Sequence, residues 1–370
     1  MARWSILACC AALVLTTGAF AQAPPGPLPP KPGAAVQQPP EKAQIRVRVE
    51  LVNTPVTVRD AKGEMVMDLS RNDFRVFDNG VPQRIEDFDI GGGPLSVVLV
   101  LEQSSRVEPL LPAVRKAGIV FTQAVLGQLG EAAVVGFDER SEVLLPFTTD
   151  QDKIEKTIEN LRVGLQGVHM QDALARAVGM LRNRPPQRRR AIVVVSEAAD
   201  DGSETRLGAV LREAQLSNIT IYSVGLSTTA AQLRAGTKDP APGPLPPGVF
   251  GMPPRPGTVQ TPTTEQQARG NINILAAIIW AVERLANVVG HNSLEAATAG
   301  TGGMHLPTFR DRSIEVALHE IGSELHGQYV LTYRPTGTQA SGFHEIKVEV
   351  TKPGLSVRTR PGYYLPPPES

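Results

Sequence analysis

The chain has 370 residues, 37 Lys and Arg against 37 Asp and Glu, 41% apolar residues and two cysteines. Balanced charge excludes a global field favouring nucleic acid or an anionic membrane, and the length allows one large and one small domain. Cys9 and Cys10 both fall in the first 21 residues, so a chain processed after them has no thiol chemistry, disulfide or thiolate metal site.

Arg3, the apolar run Ile6 to Leu15 and Ala19-Phe20-Ala21 together have the form of a secretory signal with a small-x-small cleavage site, predicted over residues 1–21. The run is well short of the about 20 residues that span a bilayer, so no transmembrane segment is expected in the mature chain. The expected location is periplasmic, cell-surface or extracellular. Removing Arg3 leaves the mature chain one charge negative. Residues 22–43, rich in Pro, Ala and Gln, predict an extended disordered leader.

From 44 to 92 the chain alternates apolar and polar residues, first in IRVRVELVNTPVTVRD and then in GEMVMDLSRNDFRVFDNGVPQRIEDFDI. That period predicts strands. Asp60-Ala61-Lys62-Gly63 and Asp78-Asn79-Gly80 mark turns, the second with the Asn-Gly pair suited to tight hairpins. This small β module lacks strands of its own to cover its edges. GQYVLTYRP, GFHEIKVEV and LSVRTRPGYY, in 328–365, repeat the alternation and are expected to complete it as a β-sandwich built from both chain ends.

Residues 94–327 alternate strand and helix, the pattern of a doubly wound, mostly parallel α/β sheet. Leu95 to Leu101 is predicted as a buried strand delivering Glu102, Ser104 and Ser105 to its carboxyl end. A helix is expected from about Pro109 to Leu129, then a hairpin of AAVVGFD and SEVLLPFT turning at Glu139-Arg140. Helices follow at Asp150 to Leu161 and Met170 to Leu181, then the strand Ala191 to Glu197, a helix Glu204 to Leu216 and the strand ITIYSVGL. A Pro-rich insertion occupies 239–264. Beyond it come a helix Asn273 to Ala299 with a break at Gly290, a strand in GGMHLP and a closing helix Arg310 to Leu325.

This order, with its single antiparallel hairpin, resembles a von Willebrand factor A domain. VNTPVTVRDAKGEMVMDLSRNDFRVFDNGVPQ before it, and AGTGGMHL, GQYVLTYRP and VRTRPGYY after it, are similar to the flanks of a secreted family of soil bacteria such as Acidobacteria. In metal-binding members an ion sits over the carboxyl ends of the strands, held by Asp-x-Ser-x-Ser, a Thr and a further Asp. The corresponding positions here are Glu102, Ser104, Arg106, Val168 and Glu197. A Val and an Arg stand where two hydroxyl ligands belong, whereas Mg²⁺ wants about six oxygens near 2.1 Å. The resemblance therefore implies a degenerate metal-ion-dependent adhesion site, no cofactor, and an arginine paired with a carboxylate such as Glu102 or Glu197 in the ion's place. The alternative is a weak Mg²⁺ or Ca²⁺ site using Glu102, Ser104, Glu197 and Asp200 or Asp201.

Other signals are set aside. His319-Glu320 would need its second zinc ligand at Ser323, and His326 lies about 10 Å along the helix. No G-x-S-x-G elbow occurs, and Gly300-Thr301-Gly302-Gly303 precedes a strand instead of following one. Trp280, His291, His305 and His344 are expected to be structural, and the cluster Arg182, Arg184, Arg188, Arg189 and Arg190 a solvated loop, with a patch for phosphate or acidic partners as the alternative. The function implied is a non-catalytic protein-binding module contacting its partner through Arg106, His169 and Asp200 or Asp201, with a metal-dependent adhesion receptor as the alternative. No nucleic-acid partner is expected.

Overall fold

A computed structural model describes residues 51–91, 93–126, 129–197, 200–226, 293–308, 311–336 and 341–365. The expected signal, the leader, the Pro-rich insertion, most of the helix from Asn273, Trp280 and His291 lie outside these residues.

The centre is a six-stranded sheet in the order β10-β9-β8-β5-β6-β7. Its strands are β5 (Leu95–Glu102), β6 (Glu131–Phe137), β7 (Ser141–Thr148), β8 (Arg189–Ser196), β9 (Ile219–Leu226) and β10 (His305–Thr308). All pairings are parallel except β6 with β7, the edge hairpin expected from Glu139-Arg140. Every residue of β5, β6 and β9 is buried, as strands covered on both faces require. One face packs on α1 (Leu111–Val125), α2 (Gln151–Glu159) and α6 (Asp311–Gly327). The other packs on α3 (Met170–Arg182), α4 (Leu207–Leu216) and α5 (Ser293–Thr301). Helix α1 begins later than expected because Ser105–Leu110, with Pro109 inside, forms a 3₁₀ segment first. A proline lacks the N–H that an α-helical interior needs.

Two four-stranded sheets flank this core, in the orders β13-β1-β11-β4 and β14-β12-β2-β3. They are formed by β1 (Val52–Arg59), β2 (Phe74–Asp78), β3 (Val81–Gln83) and β4 (Ile85–Ile90) together with β11 (Tyr329–Tyr333), β12 (Gly342–Val350), β13 (Ser356–Thr359) and β14 (Gly362–Leu365). Early and late strands thus pair directly: β1 lies between β11 and β13, and β2 pairs with β12. Both sheets contribute to one apolar cluster that includes Val56, Phe74, Tyr329, Leu331 and Ile346. Asn79 and Gly80, at φ +47° and +79°, make the β2–β3 turn, where two consecutive left-handed residues favour Asn-Gly.

Inside this cluster Asp78 accepts from Tyr333 Oη at 2.9 Å and Tyr363 Oη at 2.8 Å, and its Oδ1 lies 3.0 Å from His344 Nδ1. His344 thus has a buried carboxylate partner inside the β module. Burial raises both tyrosines, and it pushes the nearby Arg360 down to about 10.

Candidate functional site at the carboxyl edge of the sheet

The chain leaves β5 to opposite sides for β6 and β8, so the carboxyl ends of β5 and β8 form the switch point where open α/β sheets usually place a ligand crevice. Glu102 ends β5 there, with its side chain fully buried. Its Oε1 accepts from Ser104 Oγ at 2.5 Å, and its Oε2 from Glu197 N at 2.7 Å. Ser196 Oγ lies 2.7 Å from both Glu102 Oε2 and the Glu197 carbonyl, and its single proton serves one of them. Burial raises the Glu102 carboxyl above its ordinary value, the hydrogen bonds from Ser104, Ser196 and Glu197 N oppose the rise, and the nearby Glu197 carboxylate adds to it. Ser196 was not picked out from the sequence; its place immediately before Glu197 at the end of a strand was the signal.

Arg106 lies in the 3₁₀ segment after β5 and pairs with a carboxylate, but with Asp201: Nη2 donates to Oδ2 at 2.8 Å. The expected pairing with Glu102 or Glu197 is corrected for a local reason. Glu102 faces inward and takes its hydrogen bonds from the ends of its own and the neighbouring strand, while the third loop carries Asp201 outward beside Arg106. The second and third loops are stitched together by Asp201 N donating to Val168 O at 2.7 Å. The Arg106 side chain is 13% exposed and Asp201 65% exposed, and Arg106 Nε has no hydrogen-bond partner among the described residues.

Val168 is fully buried in the apolar cluster behind the sheet. His169 precedes α3 and is partly exposed; its N donates to Asp138 O at 2.8 Å, and its Nδ1 is 3.9 Å from Asp172 Oδ2. Gly202, at φ +105°, lies against this imidazole: a Cβ there would be 2.7 Å from Nε2. Asp200 is less available than expected, since its Oδ1 accepts from Gln171 N at 2.9 Å and Ser203 Oγ at 2.7 Å, closing the start of α3. Asp172 accepts from Thr205 N and Glu204 N at 2.8 and 3.0 Å. Burial raises its carboxyl, but these hydrogen bonds outweigh it and hold the group below the ordinary value. The three loops thus meet, and Arg106, His169 and Asp201 are the candidates with surface access.

A divalent cation in this crevice would need converging oxygens. Val168 offers none, Arg106 offers a cation, and the Ser104 hydroxyl is directed at Glu102. No group of three or more His, Cys, Asp or Glu that could hold a metal occurs among the described residues. The donor set does not fit Mg²⁺.

Residues 97–203 match the family model of the von Willebrand factor type A domain. The matched A-type segment runs from β5 through the third loop and carries all five positions at issue. Its α/β fold, with a mostly parallel sheet, is the one expected from the strand and helix order. Among solved structures, the conserved hypothetical protein BatB from Bacteroides thetaiotaomicron is similar at 15% identity and a TM-score of 0.40, over 62% of this chain and 98% of that one. An aerotolerance-related membrane protein from Bacteroides fragilis gives 17%, 0.39, 62% and 98% in the same order, and the SpRpn10 VWA domain 9%, 0.38, 61% and 95%. Likenesses this distant transfer no residue roles. No curated protein matches the chain.

The basic cluster lies at the opposite, amino end of the sheet and is not a solvated loop. Arg184 grips Glu131 with two hydrogen bonds of 2.7 and 2.6 Å. Arg188 donates to Ser96 Oγ, Leu95 O and Leu129 O at 2.7, 2.8 and 2.9 Å. Arg189 reaches Leu325 O and Gly91 O, both at 2.6 Å, and Arg190 reaches Ser217 O and Arg184 O at 2.8 and 2.7 Å. Arg182 alone matches the expectation, exposed beside Glu213 at 3.4 Å. No helix among the described residues is long and apolar enough to cross a membrane.

Proposed function

We propose that the chain is an exported, non-catalytic protein-interaction module whose A-type domain binds its partner at the carboxyl edge without a metal ion. The paired sheets from the two chain ends are read as a small β-sandwich scaffold beside it. The observation that carries this reading is the meeting of three loops at Arg106, His169 and Asp201, with Arg106 held in place by a single, largely exposed carboxylate. A guanidinium presents two parallel donors to a carboxylate, so a partner carboxylate would compete with the exposed Asp201 for Arg106. Metal independence is supported by the side chains themselves: Val168 points into the core, and the Glu102 oxygens are engaged by Ser104, Ser196 and Glu197 N. The same engagement of Ser104 and Ser196 is why neither is read as a nucleophile.

The test is capture of partners from envelope extracts, with the retained protein identified and its affinity remeasured in purified form. Arg106→Ala and His169→Ala should each weaken binding by about tenfold or more while leaving the melting temperature nearly unchanged, and a chelator should have no effect. Binding that needs Mg²⁺ or Ca²⁺ would instead favour the metal-dependent adhesion receptor. Binding indifferent to both substitutions would place the partner elsewhere.

A further inference from the structure

A cleft of 590 Å³ lies on the flank of the six-stranded sheet, between edge strand β7, helix α2 and the segment that follows α2. Leu144, Leu145 and Val163 give it apolar walls. Lys153, Lys156 and Arg162 stand around it against a single carboxylate, Glu142. Lys153 has a partner in Asp150 at 2.9 Å. Lys156 and Arg162 are exposed, and neither makes an ion pair with any described residue.

The segment after α2 is tied down. Gly164 N donates to Gln103 O at 2.7 Å, Leu165 N to Asp138 Oδ2 at 2.8 Å, and Ser105 N to Leu165 O at 2.9 Å. A Cβ at Gly164 would sit 2.2 Å from Asp138 Oδ2, so the close approach needs glycine. Yet this fixed segment leaves Val163 41% and Leu165 49% exposed. Apolar side chains held in water by a pinned backbone lose little entropy when covered, which favours binding. Among the described strands β7 is paired on one side only, but Pro146 lacks a donor in its middle, so recognition is expected to use the side chains of the cleft more than added strand pairing.

We propose that this cleft, which borders the first carboxyl-edge loop at Gln103 but lies on the β7 and α2 side of it, docks a short acidic segment of a partner protein. An apolar side chain of that segment seats against Leu144, Leu145 and Val163, and its flanking carboxylates meet Lys156 and Arg162. Charge complementarity selects the occupant: two cations without an ion-pair partner among the described residues, beside an apolar floor, suit carboxylates around an apolar anchor.

The test uses the full chain and two fluorescent synthetic peptides, Asp-Glu-Leu-Trp-Asp-Glu and Lys-Arg-Leu-Trp-Lys-Arg, followed by anisotropy. The acidic peptide should bind at least about tenfold more tightly, and less tightly as salt rises. Lys156→Glu with Arg162→Glu should lower its affinity about tenfold, as should Val163→Ser with Leu144→Ser, whereas Arg106→Ala should not change it. Both cations are exposed, so the variants should fold, and the single change Arg162→Gln gives a milder check if the double reversal does not. Equal binding of the two peptides, no binding of the acidic one, or full affinity in the charge-reversed chain would overturn the proposal. Retention on vesicles of anionic phospholipid with no acidic-peptide binding would overturn it in favour of a membrane ligand.

Discussion

The two ends of the six-stranded sheet treat arginine in opposite ways. At the amino end, Arg184, Arg188, Arg189 and Arg190 are held by Glu131, Ser96 and the carbonyls of several loops, tying β5, β8, α6 and the strand that enters the sheet into one frame. At the carboxyl edge, Arg106 has one ion-pair partner, the largely exposed Asp201. A guanidinium with several partners fixes a fold; one with a single exposed partner can exchange it for a ligand. Residue type alone does not separate the two cases, and the position of each arginine relative to the strand ends does.

The comparison can be broken most strongly at the amino end. Arg188→Ala leaves Glu131 and Ser96 short of a partner in a region where the arginine is 19% and the glutamate 9% exposed, and it should lower unfolding stability by about 3 kcal/mol in denaturant titrations. A loss within about 0.5 kcal/mol, the range of an ordinary surface change, would mean that this cluster is solvated after all.

At the carboxyl edge the next effect comes from Glu102. Its folded-state carboxyl is raised by burial, so its contribution to stability is fully present below the ordinary carboxyl range and is lost as pH rises through the raised value. Glu102→Gln stays neutral throughout. It should match or exceed the parent stability near neutral pH, and the decline on leaving the acid range should flatten. Denaturant midpoints across that range check this; a variant less stable at neutral pH with the pH slope unchanged would show that the ionised carboxylate holds the loops together.

The smallest effect is expected from Arg106→Ala. Its partner is mostly in water, where ion pairs contribute about 0–1 kcal/mol, so the melting temperature should move little. A loss as large as that of Arg188→Ala would make the carboxyl edge a second structural clasp and remove the contrast between the two ends.

Much of the fold was legible because the central strands are apolar throughout and the helices repeat every three to four residues: Leu95 to Leu101 and Met170 to Leu181 fall where expected, and the strand expected over Ala191 to Glu197 runs from Arg189 to Ser196. Pairing of early with late strands was legible from alternation plus the shortage of strands at either end, and β1 does lie between β11 and β13. The residues that end β5 and β8 were readable from strand register. Partners were not. Arg106 chose Asp201, and Asp200 closed α3, because loop paths set by the Asp201–Val168 backbone bond decide which of several carboxylates arrives. The basic cluster was misread for a related reason: its acceptors are mostly carbonyls, which every residue carries and no side-chain pattern reveals.

Metal-free recognition at the carboxyl edge is tested most directly by melting the purified chain with a chelator and then with millimolar Mg²⁺, Mn²⁺ or Ca²⁺. An ion that binds only the folded state must raise its stability. With Val168 in the core and Arg106 paired to Asp201, the expected melting temperatures are the same in all four conditions. A rise of several degrees with any of the metals would contradict it.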